Sequence, residues 1–176
     1  MFDKQVYIDR RVELKKSFKT GILLFLGNDE SAMNYLNNTY KFRQDSSFLY
    51  YFGIDLPNMI GVIDIDENKD ILFGYEFTLE DIVWMGPQPK LAQLAEQIGI
   101  VHSESIDSVK KYLKAKKSKQ VKIHLLPTYR GDQTLKLADL LDENPYKLKS
   151  KFSKKLIDTV VAQRSVKAEE ELAEIE

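Results

Sequence analysis

The 176-residue chain contains no cysteine. That absence removes disulfides, thiolate nucleophiles and cysteine-based zinc sites together, and makes a reducing compartment, the cytoplasm, the expected location. No apolar run approaches the roughly 20 residues needed to cross a bilayer, and the opening segment MFDKQVYIDRRVELKK is too charged for a signal peptide, so no membrane partner is expected. Charge of one sign is lacking too. With 26 basic and 27 acidic side chains the formal net charge is -1, which offers no field to draw the chain to nucleic acid. The two histidines, His102 and His124, fall on separate strand-like segments without HxH, HxxxH or HExxH spacing, so no histidine-rich metal site is expected. Neither a P-loop nor a GxGxxG stretch occurs, and nucleotide binding through such loops has no support.

What is present is the material of a core: 43% of residues are hydrophobic and 30% charged, enough for one globular domain. Apolar side chains at Val6, Ile8, Val12, Leu14 and Phe18 make an imperfect helical stripe that ends before Gly21. GILLFLG is a short apolar run between glycines, the pattern of a central strand buried on both faces. MIGVIDID and KDILFG, separated by Asp66-Glu67-Asn68, read as a β-hairpin. Helical spacing returns over Lys90 to Ile98, Ser105 to Lys114 and Thr134 to Leu141, the last expected to be halted by DENP because the residue before proline leaves helical geometry. VKIHLL reads as a further strand and Tyr146 to Phe152 as a last edge strand; the Lys-rich KAKKSK reads as a solvated helix end. The class is α/β with a mixed sheet. The closing segment places Leu172 and Ile175 on an apolar helical face after an acidic turn and stops without a capping residue, which we read as the front of a longer protein.

Few groups suit chemistry. Asp64 and Asp66, with Asp45, are hard oxygen donors, but Asp66 falls in a hairpin turn where aspartate serves the backbone. Two stretches are more pointed. In Phe42-Arg43-Gln44-Asp45-Ser46-Ser47-Phe48, Arg43 offers five fixed donors and Asp45 can accept them or cap the helix that Ser46 to Phe52 suggests. In Asp81-Ile82-Val83-Trp84-Met85-Gly86-Pro87 the only tryptophan precedes a Gly-Pro break, as a binding anchor or a core lid.

At these motifs the chain resembles the N-terminal domain of the creatinase/aminopeptidase P family, the Xaa-Pro aminopeptidases and prolidases. The resemblance runs from the glycine-flanked strand through Tyr40 to Tyr50, Gly53 and Pro57, and on to Asp81 and Trp84 to Gly86. It closes on Arg164-Ser165-Val166-Lys167-Ala168-Glu169-Glu170-Glu171-Leu172, so essentially the whole chain is covered. It implies a mixed six-stranded sheet flanked by helices with a ribonuclease H-like motif over residues 1–160, and over 161–176 the start of a linker helix to a pita-bread catalytic domain that this chain lacks. That domain would hold two divalent metal ions, manganese by family habit, and none of their ligands maps onto a residue here, so no catalytic and no metal residue is expected in this chain.

By the same resemblance the parent protein removes an N-terminal residue that precedes proline. This domain then shapes the substrate cleft and makes contacts in a homo-oligomer, with its own C-terminal catalytic domain and a peptide bearing proline at the second position as partners. Trp84 becomes the expected substrate-binding residue, because the family's Trp-x-Gly loop can reach a neighbouring subunit's active site, while Arg43 and Asp45 form a structural motif with Arg43 held near Asp45. One departure is that the acidic residue stands at Asp81, three before Trp84, where relatives often place glutamate two before. An Xaa-Pro dipeptidase, or a stand-alone peptide- or histone-binding module of the same fold, are the alternatives.

Overall fold

The computed structural model describes residues 2–35, 38–78, 83–84 and 86–175. Five strands form one sheet in the order β4-β3-β2-β1-β5: β1 (Ile22–Leu26), β2 (Ile60–Asp64), β3 (Lys69–Gly74), β4 (His102–Ser105) and β5 (Ile123–Leu125). The β1–β2 and β2–β3 pairs are antiparallel and the β3–β4 and β1–β5 pairs parallel, as a mixed sheet requires. The expected sixth strand does not form among the described residues. Pro145–Lys151 winds into a 3-10 turn, and Phe152 alone reaches the sheet in an isolated parallel bridge to Leu125. Asn144 caps that turn by accepting from the Tyr146 N–H at 2.9 Å, and Pro145, with no N–H to donate, suits a helical start better than a ladder.

Helices cover both faces. Alternation along β1 sends Leu23 and Phe25 to one side, among α1 (Lys4–Lys16), α2 (Ser46–Phe52), α3 (Leu91–Gln97) and α6 (Lys154–Ser165). Ile22 and Leu24 go to the other, against α4 (Val109–Ser118) and α5 (Gly131–Leu141). The expectation of a strand buried on both faces is met. α7 (Glu169–Ile175) follows α6 after a short break. α5 ends at Leu141, as expected, and begins three residues earlier than its spacing suggested: Asp142 adopts the left-handed conformation at φ 50 and its N–H closes on the Ala138 and Asp139 carbonyls, leaving Asn144 to take the extended pre-proline shape.

α1 buries a stripe that hydrophobicity did not announce. Its inward residues are Tyr7, Arg10, Arg11 and Leu14, at helical spacing, while Val12 faces solvent. The Arg11 side chain is 1% exposed and every donor nitrogen of its guanidinium has a partner: Nε donates to Asp70 Oδ2 at 3.0 Å, and the two terminal nitrogens donate to the Tyr51 carbonyl at 2.9 Å and the Ile98 carbonyl at 2.6 Å. Burial pulls its pKa below the usual arginine value and Asp70 pushes back. The carbonyls lie at the ends of α2 and α3, so one side chain ties α1 to two helix termini and to β3. Gly53 terminates α2 at φ 64 beneath the Tyr7 ring, where an added Cβ would stand 2.2 Å from the ring.

On the other face Asp64, fully buried, accepts from Tyr112 Oη at 2.6 Å and pairs with Lys116, which also reaches Glu67 at 2.5 Å. Burial opposes ionisation of Asp64, but the hydrogen bonds from Lys116, Tyr112 and the Glu67 N–H outweigh it and hold the carboxyl below its ordinary range. One lysine of the KAKKSK run is therefore structural rather than solvated. Its neighbour Lys117 reaches the Leu141 carbonyl and Glu143, binding α4 to the end of α5.

Two outcomes follow. Arg11→Met strands two buried carbonyls and should cost about 3 kcal/mol in urea unfolding, whereas Lys16→Met, whose partner Glu13 is on the surface, should cost well under 1 kcal/mol. His124 is buried, its Nδ1 lies 2.7 Å from Ser153 Oγ, and burial with Lys122 and Lys155 nearby lowers its pKa from 6.5 to about 4. Protonation therefore favours the unfolded chain. Its contribution is whole above pH 6.5 and is lost as pH falls through about 4, on the order of 3 kcal/mol, and His124→Gln should remove that part of the acid sensitivity of urea unfolding.

Candidate functional site

β1 and β5 are adjacent and parallel, yet the connections that follow them diverge. The chain leaving β1 at Leu26 goes to α2 on one face, and the chain leaving β5 at Leu125 goes to α5 on the other. Two parallel neighbours whose following helices lie on opposite faces leave a crevice outside their carboxyl ends, the place where open α/β sheets accept ligands. Two adjoining hollows occupy it. One, of about 270 Å³, is walled by the ends of β1 and β5 with Ser47, Tyr129 and Arg164. The other, of about 480 Å³, lies between Asn28–Ser31, Tyr40–Ser46 and Arg130. Asp45 and Ser46 border both.

The floor is held by two buried glutamines that the sequence did not single out. Gln44 Oε1 accepts from the Asn28 N–H at 2.6 Å and the Asp45 N–H at 2.9 Å, while its Nε2 donates to the Ile54 and Leu56 carbonyls at 3.2 and 2.8 Å. One amide, used on both sides, fixes the exit of β1, the start of α2 and the segment after it. Gln133, from α5, donates to the Gly27 carbonyl at 3.0 Å and Asn28 Oδ1 at 2.6 Å across the sheet edge. The only hint in the sequence was position: a glutamine between Arg43 and Asp45, inside a motif.

Asp45 does what was expected of it. Its Oδ1 accepts from the Ser47 and Phe48 N–H groups, both at 2.9 Å, and α2 begins there. Arg43 does not. Among the described residues its guanidinium forms no ion pair with Asp45, whose carboxylate is directed at the helix amides, and the side chain is exposed; only its carbonyl is held, by Asn28 Nδ2 at 2.7 Å. Gln44 performs the bracing that was expected of the arginine. The aromatics of the motif divide: Phe48, Tyr51 and Phe52 are core, with Phe48 and Phe52 stacked at 5.0 Å, whereas Tyr40 is exposed.

The segment bearing Trp84 departs from the carboxyl end of β3, which the register aligns through Ile60 with that of β1. Trp84 is 82% exposed and Val83 beside it 80%, so the core-lid reading does not hold; Asp81 lies outside the described residues. The C-terminal motif packs against the same wall and lines part of the smaller hollow. Arg164 donates to Ser47 Oγ at 3.1 Å, Gln163 accepts from Tyr51 Oη at 3.0 Å, and Glu171 stands 3.4 Å from Arg10, whose guanidinium lies 3.9 Å over the Tyr50 ring. The carboxylates considered as ligands are dispersed: Asp45 caps α2, Asp64 is paired with Lys116 and Asp66 accepts from the Gly21 N–H at 3.2 Å. Among the described residues no group of three or more histidine, cysteine or carboxylate side chains could hold a metal ion.

Curated relatives and solved structures agree on where this architecture belongs. The chain is 27% identical to human Xaa-Pro dipeptidase over 125 residues, 70% of this chain and 24% of that protein, and 25% identical to a probable Xaa-Pro aminopeptidase of Sordaria macrospora over 158 residues, 90% and 26% respectively. It thus spans about a quarter of the length of these relatives. Its fold superposes on the low-pH form of Escherichia coli aminopeptidase P with a TM-score of 0.76 at 17% identity, and on Yersinia pestis proline aminopeptidase P II with 0.77 at 18%, in each case over 98% of this chain and 41% of the other. The family model of the aminopeptidase P N-terminal domain matches residues 7–124, from Tyr7 of the buried α1 stripe to His124 of β5, and the chain belongs to that family.

Proposed function

We propose that this domain is the non-catalytic wall of an Xaa-Pro aminopeptidase: it bounds the cleft in which a peptide with proline at its second position is held, and contributes contacts between copies of the parent protein. The hydrolytic chemistry, with two divalent ions, manganese in this reading, is assigned to a C-terminal catalytic domain outside these residues. The observation that carries the reading is the family match over residues 7–124. Support comes from the sheet edge, where the crevice, the capped start of α2 and the departure of the Trp84 segment share one end of the molecule. A tryptophan that is 82% exposed, next to an equally bare valine, is an apolar anchor awaiting a peptide or a neighbouring subunit. The similarity to human Xaa-Pro dipeptidase favours a second reading, in which the parent acts on dipeptides and the wall limits the length admitted.

The purified 176-residue chain should release no amino acid from Xaa-Pro peptides with or without Mn²⁺. Turnover that copurifies with the chain would place catalysis within it and overturn the assignment. In the parent protein Trp84→Ala should lower kcat/KM for Xaa-Pro peptides or dissociate the oligomer by at least tenfold, an effect on the order of 1–2 kcal/mol, while the melting temperature of the domain stays within 1–2 °C, as expected for a side chain outside the core. Unchanged kinetics and assembly would remove Trp84 from the cleft.

A further inference from the structure

The larger of the two hollows, lined by the loop that follows β1 and by Arg130 beyond β5, has its charges unevenly satisfied. Asp29 is held by Lys136 at 2.8 Å through both carboxylate oxygens, and Asp45 by the first amides of α2. Arg130 is clasped by Asp132 at 3.1 and 2.7 Å and also donates to Ser31 Oγ. Lys41 and Arg43 remain: both are exposed, both line the hollow, and neither forms an ion pair among the described residues. Arg43 is nonetheless positioned. Its carbonyl is fixed by Asn28 and the next residue, Gln44, is 4% exposed with four hydrogen bonds, so the guanidinium projects from a rigid backbone into open space. An arginine fork held in this way loses little freedom on meeting a planar anion.

We propose that this hollow is a carboxylate subsite, with Arg43 as its bidentate anchor and Lys41 as its second cation, and that it takes a carboxylate of a bound peptide. With Asp29, Asp45 and Arg130 committed to partners, the two cations left to a ligand are a planar arginine fork and a lysine beside it, the pairing that suits a carboxylate. It adjoins the hollow at the switch point of the sheet, where a ligand is received, and shares Asp45 and Ser46 with it. Tyr40 and Phe42, on either side of Lys41, supply apolar flanks for the peptide chain. This deepens the reading of the domain as a peptide-cleft wall and rests on that reading for the identity of the peptide. The carboxylate has two sources, the peptide's own C-terminus or an aspartate or glutamate side chain beyond the proline.

Calorimetric titration of the chain with four tetrapeptides separates these sources. Ala-Pro-Ala-Ala as free acid and as amide tests the terminus; Ala-Pro-Glu-Ala-amide and Ala-Pro-Gln-Ala-amide test the side chain. At least one carboxylate peptide should bind tenfold or more tightly than its neutral counterpart, with affinity that falls as salt rises. Arg43→Gln should abolish the difference without moving the melting temperature, and Arg43→Lys should restore part of it. Preference for the acid terminus alone, or for glutamate alone, identifies the source. Equal binding of charged and neutral peptides, or a preference that survives Arg43→Gln, overturns the subsite but leaves the peptide cleft standing. An Arg43-dependent preference shown equally by Ala-Ala peptides retains the subsite and removes the Xaa-Pro reading. No binding of any peptide at millimolar concentration overturns both.

Discussion

The guanidinium of Arg11 is the point through which one face of this domain is organised. A buried cation is tolerable only when each donor is used and an anion is near, and Arg11 meets both terms by drawing on β3 and on the last carbonyls of two helices. Those carbonyls have no partner within their own helices, so the arginine satisfies acceptors that the fold would otherwise leave bare. The consequence reaches the cleft. α2 is fixed at its end by Arg11 and at its start by Asp45 and Gln44, and its seven residues cannot shift along the sheet without breaking one set. The opposite face repeats the device with Asp64, Tyr112 and Lys116, which pin α4 to the β2–β3 turn.

Rigidity and openness are thus separated along four consecutive residues. Arg43 is exposed with a held backbone, Gln44 is buried and fully bonded, Asp45 caps, and Ser46 begins the helix at the rim of both hollows. Side chains that brace the wall are inside it, and the one with directional donors left over faces the hollow. The C-terminal motif adds a second tie: Gln163 and Arg164 fasten α6 to Tyr51 and Ser47 at the wall of the smaller hollow, while Gln133 of α5 is bonded to the Gly27 carbonyl across the floor.

Much of the fold was legible because its cause is local. GILLFLG is apolar throughout and flanked by glycine, which leaves it little alternative to a central strand, and Asp45 before a run with helical preference is a cap by its chemistry alone. The errors have a shared origin. The buried stripe of α1 includes two arginines, which hydrophobicity places outside, and the true stripe appears only when their partners from β3, α2 and α3 are known. Tyr146 to Phe152 has strand-like residues, but Pro145 and the Asn144 cap turn it into a 3-10 helix and leave only Phe152 on the sheet. Arg43 beside Asp45 suggested an ion pair, yet the cap geometry commits that carboxylate to amides two and three residues on, and Gln44 took the bracing role through contacts 10 to 16 residues distant.

The sequence by itself determined most of the elements, the family motifs and the absence of cysteine and P-loop chemistry, since these depend on residue type and short spacing. Tertiary structure decided which polar groups are inside, which remain unpaired, and that β1 and β5, separated by about a hundred residues, lie side by side with their helices on opposite faces. Only that juxtaposition makes a crevice. A side chain's partner in a folded chain is set by what other segments bring to it, and no local pattern encodes whether an arginine will find a ring of carbonyls, as Arg11 does, or an open hollow, as Arg43 does.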